Sequence, residues 1–231
     1  MVNVKLIFRL SSMVTELQKL ADLHLVAKIL EPKDFPLEKL KSMREKTIIE
    51  HRDVIYKGYI DNYNKIVDLI KKTKPNDTNV HYSEFGELHR RLTWAHNGVF
   101  LHQLFFDNLG GDSKSPEYRT LKLINQDYKN TNRFKKQLLA AGMVPPAGWI
   151  MWAWSALDNK THIFTIEEHQ NHCPIGIVPL LVIDLFEHAY YLDHKSDRQK
   201  YLKKVWQDIN WETIEDRAEL LLRFMKVSQF F

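Results

Sequence analysis

Apolar positions along the chain change their period several times, and each change marks a new element. Between a loop bracketed by Pro32 and Pro36 and a stop around Lys74-Pro75-Asn76-Asp77, the stretch from Leu37 to Lys72 holds no proline and only Gly58, which predicts a long helix. A second helix is predicted from Ser83 to Asn108, where Leu88, Leu92, Ala95, Val99, His102 and Phe106 recur at steps of four and three. That seam faces a partner helix, and the two read as an antiparallel hairpin. Gly110-Gly111-Asp112-Ser113-Lys114-Ser115-Pro116 is the clearest linker. A third helix is expected over Glu117 to Ala141, stopped by Pro145-Pro146.

The pattern then shifts to extended structure. A tryptophan-rich segment (Trp149, Trp152, Trp154), a turn at Asp158-Asn159-Lys160, a β-branched run from His162 to Ile166 and an apolar run from Val178 to Ile183 predict a small sheet. Asp184 followed by Glu187 fits a capping box opening a helix. The remainder, Leu185 to Phe231, reads as helices broken near Asp193-His194-Lys195 and Asn210-Trp211. The fold class is therefore α+β: an N-terminal long antiparallel helical hairpin over residues 1–112, then a C-terminal α/β domain over residues 113–231 with a small antiparallel sheet flanked by helices.

Composition narrows the classes without naming one. The 44% hydrophobic fraction and 12% aromatics describe a globular chain, and eight glycines in 231 residues argue against a loop-rich or sandwich fold. The single cysteine, Cys173, excludes an internal disulfide framework and any multi-cysteine metal site, and reads as a small buried apolar residue. The net charge of +4 is spread among acidic residues, which points away from nucleic acid and leaves a small anion as the beneficiary of a mild positive field. No run of eighteen apolar residues occurs, so no membrane span is expected. The first fifteen residues carry Lys5, Arg9, Ser11 and Ser12 and no acid. That composition is weakly compatible with an import peptide, so the cytoplasm is the expected location and the mitochondrial matrix the alternative.

Eleven histidines must be sorted by position. His24, His81, His89, His96, His162, His172 and His194 lie in polar or loop-like stretches and are expected to be solvated or locally bonded. His102 differs, because it sits in the apolar seam of its helix, where an unpaired imidazole is costly and needs a hydrogen-bond partner or a metal. His51 repeats the argument: it shares a helix face with Ile48, Ile55 and Asn62, with Tyr59 at the flank. Asp184 ends an apolar run and His188 follows four residues later. Together these supply three imidazoles and one carboxylate, a donor set that suits iron, manganese or zinc and leaves one coordination position for solvent.

These residues, in this order, resemble the iron/manganese superoxide dismutases. The run Asp184-Leu185-Phe186-Glu187-His188-Ala189-Tyr190-Tyr191 is similar to the family's signature. His51, with Lys57-Gly58-Tyr59-Ile60-Asp61-Asn62 after it, is similar to its first ligand helix. Asn97-Gly98 ahead of His102, Phe105-Phe106, Ala147-Gly148-Trp149, Trp206 and Ile209-Asn210-Trp211 extend the likeness over Phe35 to Arg217. The resemblance implies that His51, His102, Asp184 and His188 bind one iron or manganese ion per subunit, with a water or hydroxide as fifth ligand. It also implies that superoxide is converted to dioxygen and peroxide by redox cycling of that metal. Glu187 would cross towards the partner's His188, which implies a homodimer or homotetramer through the Glu187-His188 region.

The same resemblance puts Tyr59 at the substrate entrance and Trp149 in the pocket wall, with Trp152 as the competing register. It assigns the side chain that hydrogen-bonds the bound solvent to His169 or Gln170, and the Glu167-Glu168-His169 run favours His169. Gly98, where many iron enzymes have glutamine, agrees with either choice. There are departures: Ile55 and Tyr56 stand where many members have a histidine pair, the first of which normally bonds the residue matched by Tyr191 of the other subunit, and Phe186 replaces the usual tryptophan. They motivate an alternative, a metal-binding structural or regulatory protein on the same fold without efficient dismutase activity. A helical-bundle diiron site would need paired Glu-x-x-His ligands. His51 has Glu50 beside it and no carboxylate three residues before.

Overall fold

The computed structural model describes residues 29–228 apart from 36, 38, 39, 77 and 113. The import-peptide reading of residues 1–15, and His24, lie outside the described residues. Pro32–Phe231 forms one compact unit.

The first helical run is built in three pieces: α1 (Glu45–Ile49), a π-helical segment (Glu50–Tyr56) and α2 (Lys57–Lys72). It starts at Glu45 and not at Leu37, because carboxylates from later in the chain take the backbone N–H groups that a helix would use. Lys41 and Ser42 donate to Asp208 at 2.9 and 2.7 Å, and Arg44 to Asp193 at 2.8 Å. The π-helical segment also corrects the expected face. With i→i+5 bonding, residues five apart align, so His51 and Tyr56 are both buried while Ile55 is only half-buried and Val54 is exposed.

α3 (Glu84–Asp107) matches its expected limits. Ser83 caps it by accepting from Gly86 N at 3.0 Å, and its inner face from Ala95 to Phe106 is buried. The expected helix from Glu117 to Ala141 is instead two, α4 (Tyr118–Tyr128) and α5 (Thr131–Ala141). Lys129 adopts φ 73°, and Asn130 then caps α5 by accepting from Arg133 N at 2.9 Å. A left-handed residue followed by a good N-cap breaks a helix without glycine or proline.

Three antiparallel strands follow, β1 (Gly148–Ser155), β2 (Lys160–Glu167) and β3 (Ile177–Asp184), in the order β2-β1-β3. Every residue of the central strand is buried. β3 is an edge, which accommodates Pro179, and a register shift between Trp152 and Ala153 falls opposite that proline. The chain closes with α6 (Glu187–His194), α7 (Arg198–Asp208) and α8 (Trp211–Ser228).

One polar junction ties α3, the sheet and α8 together. Asn108 donates to Val182 O at 2.5 Å, while the Arg217 guanidinium donates to Asn108 Oδ1 at 2.5 Å, Leu180 O at 2.8 Å and Leu104 O at 3.3 Å. Among the described residues no helix is long and apolar enough to cross a membrane.

Two further expectations need correction. α6 has no capping box: its N-cap is Phe186, and Asp184 accepts from Phe186 N at 2.8 Å in a local turn. His194 is buried, not solvated, because its Nε2 donates to Ser42 O at 2.7 Å. Cys173 is half-buried and packs beside the core.

Candidate metal centre

Four elements each deliver one polar side chain to the same point. His51 comes from the π-helical segment, His102 from the buried face of α3, Asp184 from the end of β3 and His188 from the first turn of α6. One donor atom from each lies within 4.8 Å of all the others. Asp184 Oδ2 is the hub, 3.1 Å from His51 Nε2, 3.2 Å from His188 Nε2 and 3.6 Å from His102 Nε2. His51, His102 and Asp184 are fully buried, and His188 keeps about a fifth of its side chain exposed.

Hydrogen bonding within the protein does not satisfy this set. His102 Nδ1 donates to Gly98 O at 2.5 Å, which fixes its tautomer and leaves Nε2 bare. His102 Nε2 and both ring nitrogens of His51 are buried with no hydrogen-bond partner, the close approach of His51 Nε2 to Asp184 lacking the alignment of a bond. Orphaned polar atoms of this kind cost about 1–3 kcal/mol each. Burial lowers the imidazole pKa of His51 and, further, of His102, so both are neutral. Burial alone would raise the Asp184 carboxyl, but the close imidazoles of His188 and then His51 hold it well below the ordinary range. Bare imidazole lone pairs around an ionised carboxylate make a cation site, and the donor set fits iron or manganese.

A second layer surrounds the four. Trp149 Nε1 donates to His169 Nδ1 at 3.0 Å, and His169 Nε2 lies 2.6 Å from the Tyr59 hydroxyl. An indole can only donate, so Nδ1 is the acceptor, Nε2 carries the proton, and Tyr59 Oη receives it. The phenolic proton of Tyr59 is thus left to point elsewhere. Burial pushes the His169 imidazole down to about 4, which keeps it in this neutral form. Burial and then the Asp184 charge raise the Tyr59 phenol. Of the two tryptophans competing for the wall, Trp149 meets His102 edge-on with ring centroids 4.9 Å apart, whereas Trp152 packs on Phe134 at 4.8 Å. Gln170 does not join the layer through its amide, which donates to Glu168 at 3.0 Å.

Two aromatic neighbours were not singled out as part of the centre from the sequence. Trp94 packs on Tyr59 at 4.9 Å and meets His169 at 5.1 Å. Its spacing of four and eight residues from Gly98 and His102 was the available signal. Phe186 stacks on His188 at 5.3 Å and lies 4.8 Å from His169.

The Asp184 to Tyr191 likeness extends to whole proteins. Residues 116–217 match the family model described as iron/manganese superoxide dismutases, C-terminal domain. The chain is 31% identical over 199 residues to a superoxide dismutase [Fe] of Aquifex pyrophilus, covering 84% of this chain and 93% of that protein. The chain belongs to the iron/manganese superoxide dismutase family. It is also 30% identical to a superoxide dismutase [Fe] of Saccharolobus solfataricus, over 84% of this chain and 94% of the relative. A superoxide dismutase [Mn/Fe] of Aeropyrum pernix is 29% identical over 76% of this chain and 83% of its own length.

Within that family this member's departures have a structural setting. Tyr56, at the second position of the usual histidine pair, is buried, and its hydroxyl accepts from Gln103 Nε2 at 2.9 Å and Lys33 N at 3.2 Å. Gly98 leaves room for the Tyr59 ring, since a Cβ there would stand 2.5 Å from Tyr59 Cδ1.

Proposed function

We propose that this protein is an enzyme that disproportionates superoxide into dioxygen and hydrogen peroxide, using one iron or manganese ion held by His51, His102, Asp184 and His188. The observation that carries the reading is the convergence of four donor atoms within 4.8 Å, two of them buried nitrogens with no hydrogen-bond partner. When bound, the ion supplies reversible one-electron exchange, so that one superoxide is oxidised to dioxygen and a second is reduced to peroxide with uptake of two protons.

The chain's own residues supply the rest. Buried, neutral His51 and His102 present lone pairs and not protons, and ionised Asp184 offsets the cation's charge. Tyr59 stays protonated at neutral pH, and because His169 donates to its oxygen its own proton is available to a reduced substrate. Trp149 and Phe186 close the walls and confine access to small molecules. The Gln170 bond to Glu168 supports His169 over Gln170 as the side chain that completes this layer.

The proposal extends to assembly. Glu187 is exposed at the start of α6, next to exposed Tyr191 and Leu192, a surface suited to a homodimer or homotetramer through the Glu187-His188 region. A hairpin domain ending at residue 112 and an α/β domain starting at 113 would then each contribute two donors to the centre.

The test is metal quantification by mass spectrometry alongside superoxide consumption, for wild type and His102→Ala. Bound iron or manganese with rapid consumption in the wild type, both lost in the variant, supports the reading. A metal-loaded wild type that leaves superoxide untouched overturns it in favour of the structural or regulatory alternative.

A further inference from the structure

Asn97 lies five residues before His102 on α3, and its side-chain amide reaches 72 residues along the chain to donate to the backbone carbonyl of His169 at 2.9 Å. The backbone around that carbonyl is tied down on one side already. Glu168 adopts φ 52°, its N–H donates to Ala147 O at 3.0 Å, and Glu167 and Asn171 exchange two backbone bonds of 3.1 Å. His169 sits inside this small loop. Its ring is then engaged at both nitrogens, by Trp149 and by Tyr59. A ring with two directional partners needs a fixed Cα, because a peptide rotation there moves both nitrogens at once.

We propose that Asn97 is a positioning residue: by gripping the His169 carbonyl it locks the imidazole between the Trp149 indole and the Tyr59 hydroxyl. α3 would then govern the centre twice, through the His102 ring and through the loop that carries His169. The fit is specific to asparagine. Its Oδ1 lies 3.2 Å from His96 Nδ1 while its Nδ2 serves His169, so each end of the amide is used.

The inference rests on the metal-site reading only for its kinetic arm. In metal-free protein, ¹⁵N NMR reads the tautomer of His169 and the hydrogen exchange of the Trp149 indole N–H, for wild type, Asn97→Ala and Asn97→Leu. The leucine variant keeps the branching of asparagine without its amide and provides a second test if the alanine variant fails to fold. Indole exchange at least tenfold faster, with a mixed His169 tautomer, is the expected result in a folded variant. Unchanged exchange and tautomer in a folded variant would overturn the proposal whatever the activity. In metal-loaded enzyme, Asn97→Ala should lower turnover in the wild-type background and have no further effect in His169→Ala. Additive losses would also overturn it. If the wild type proves inert, the dismutase reading fails, and the metal-free arm still decides the role of Asn97.

Discussion

Trp149 and Asp184 are register partners across the β1–β3 ladder, so the indole that donates to His169 and the carboxylate at the hub of the imidazoles leave the same face of the sheet. A slip of one residue between the two strands would leave them on opposite faces. The shift between Trp152 and Ala153 lies farther along the ladder, so the pairing of residues 149–152 is separated from the irregularity at Pro179. The same alternation explains why Trp152, three residues on, packs against Phe134 on the other side.

Removing the hub should abolish metal retention. Asp184→Asn keeps the shape but loses the negative charge that faces three imidazoles. The fall in metal affinity should exceed the about 10–100-fold typical of losing an outer partner. Competition against a chelator of known affinity measures it, and wild-type retention in the variant would exclude Asp184 as a ligand.

Metal removal should cost stability in proportion to occupancy. A ligand that binds only the folded state at a free concentration one hundred times its dissociation constant stabilises by about 2.7 kcal/mol. The metal-loaded protein should therefore unfold at higher urea than the stripped protein, and His102→Ala should show no such gap. Identical midpoints for loaded and stripped wild type would contradict the assignment.

Gly98→Ala should displace Tyr59. The added Cβ would stand 2.5 and 2.7 Å from two ring carbons of Tyr59, and overpacking of this kind costs about 1–3 kcal/mol. Turnover should fall with metal content unchanged, and a crystal structure should show the Tyr59 to His169 contact lengthened from 2.6 Å. A variant with wild-type stability and turnover would mean that the ring has other room.

The loss of stability on acidification should depend in part on Glu215. Burial would raise its carboxyl, but hydrogen bonds from the Thr120 N–H and hydroxyl at 2.9 and 2.8 Å, and from Arg119 at 3.0 Å, hold it below the ordinary range. A depressed folded-state value means that the unfolded chain takes up its proton first. The stabilisation is complete above about pH 4.3 and disappears as pH falls from there through the folded-state value. Urea unfolding of stripped wild type and Glu215→Gln should therefore converge with falling pH. A gap independent of pH would refute the linkage.

Local pattern carried much of this structure. The α3 seam, its limits and the three strands follow from periodicity, and the same seam singled out His102. Two of the misses share a cause, which is partners distant in sequence. His194 is buried because Ser42, 152 residues away, accepts its proton, and the first helix starts late because Asp208 and Asp193 take its N–H groups. The π-helical segment was illegible for a different reason: Ile48, His51 and Ile55 have spacings that an ordinary α-helix satisfies equally well. The break at Lys129 lacked the glycine or proline that normally announces one.

That wider turn between Glu50 and Tyr56 behaves like one surplus residue threaded into an otherwise regular rod. Excising a single amino acid there would let the rod heal into a uniform spiral with every backbone bond intact. Winding the same residues as an ordinary helix would instead swivel everything upstream, His51 included, by roughly 100° relative to Tyr59, whereas removing one of them leaves that phase nearly unchanged. The surplus residue thus keeps His51 in phase with Tyr59 only while the wide turn persists.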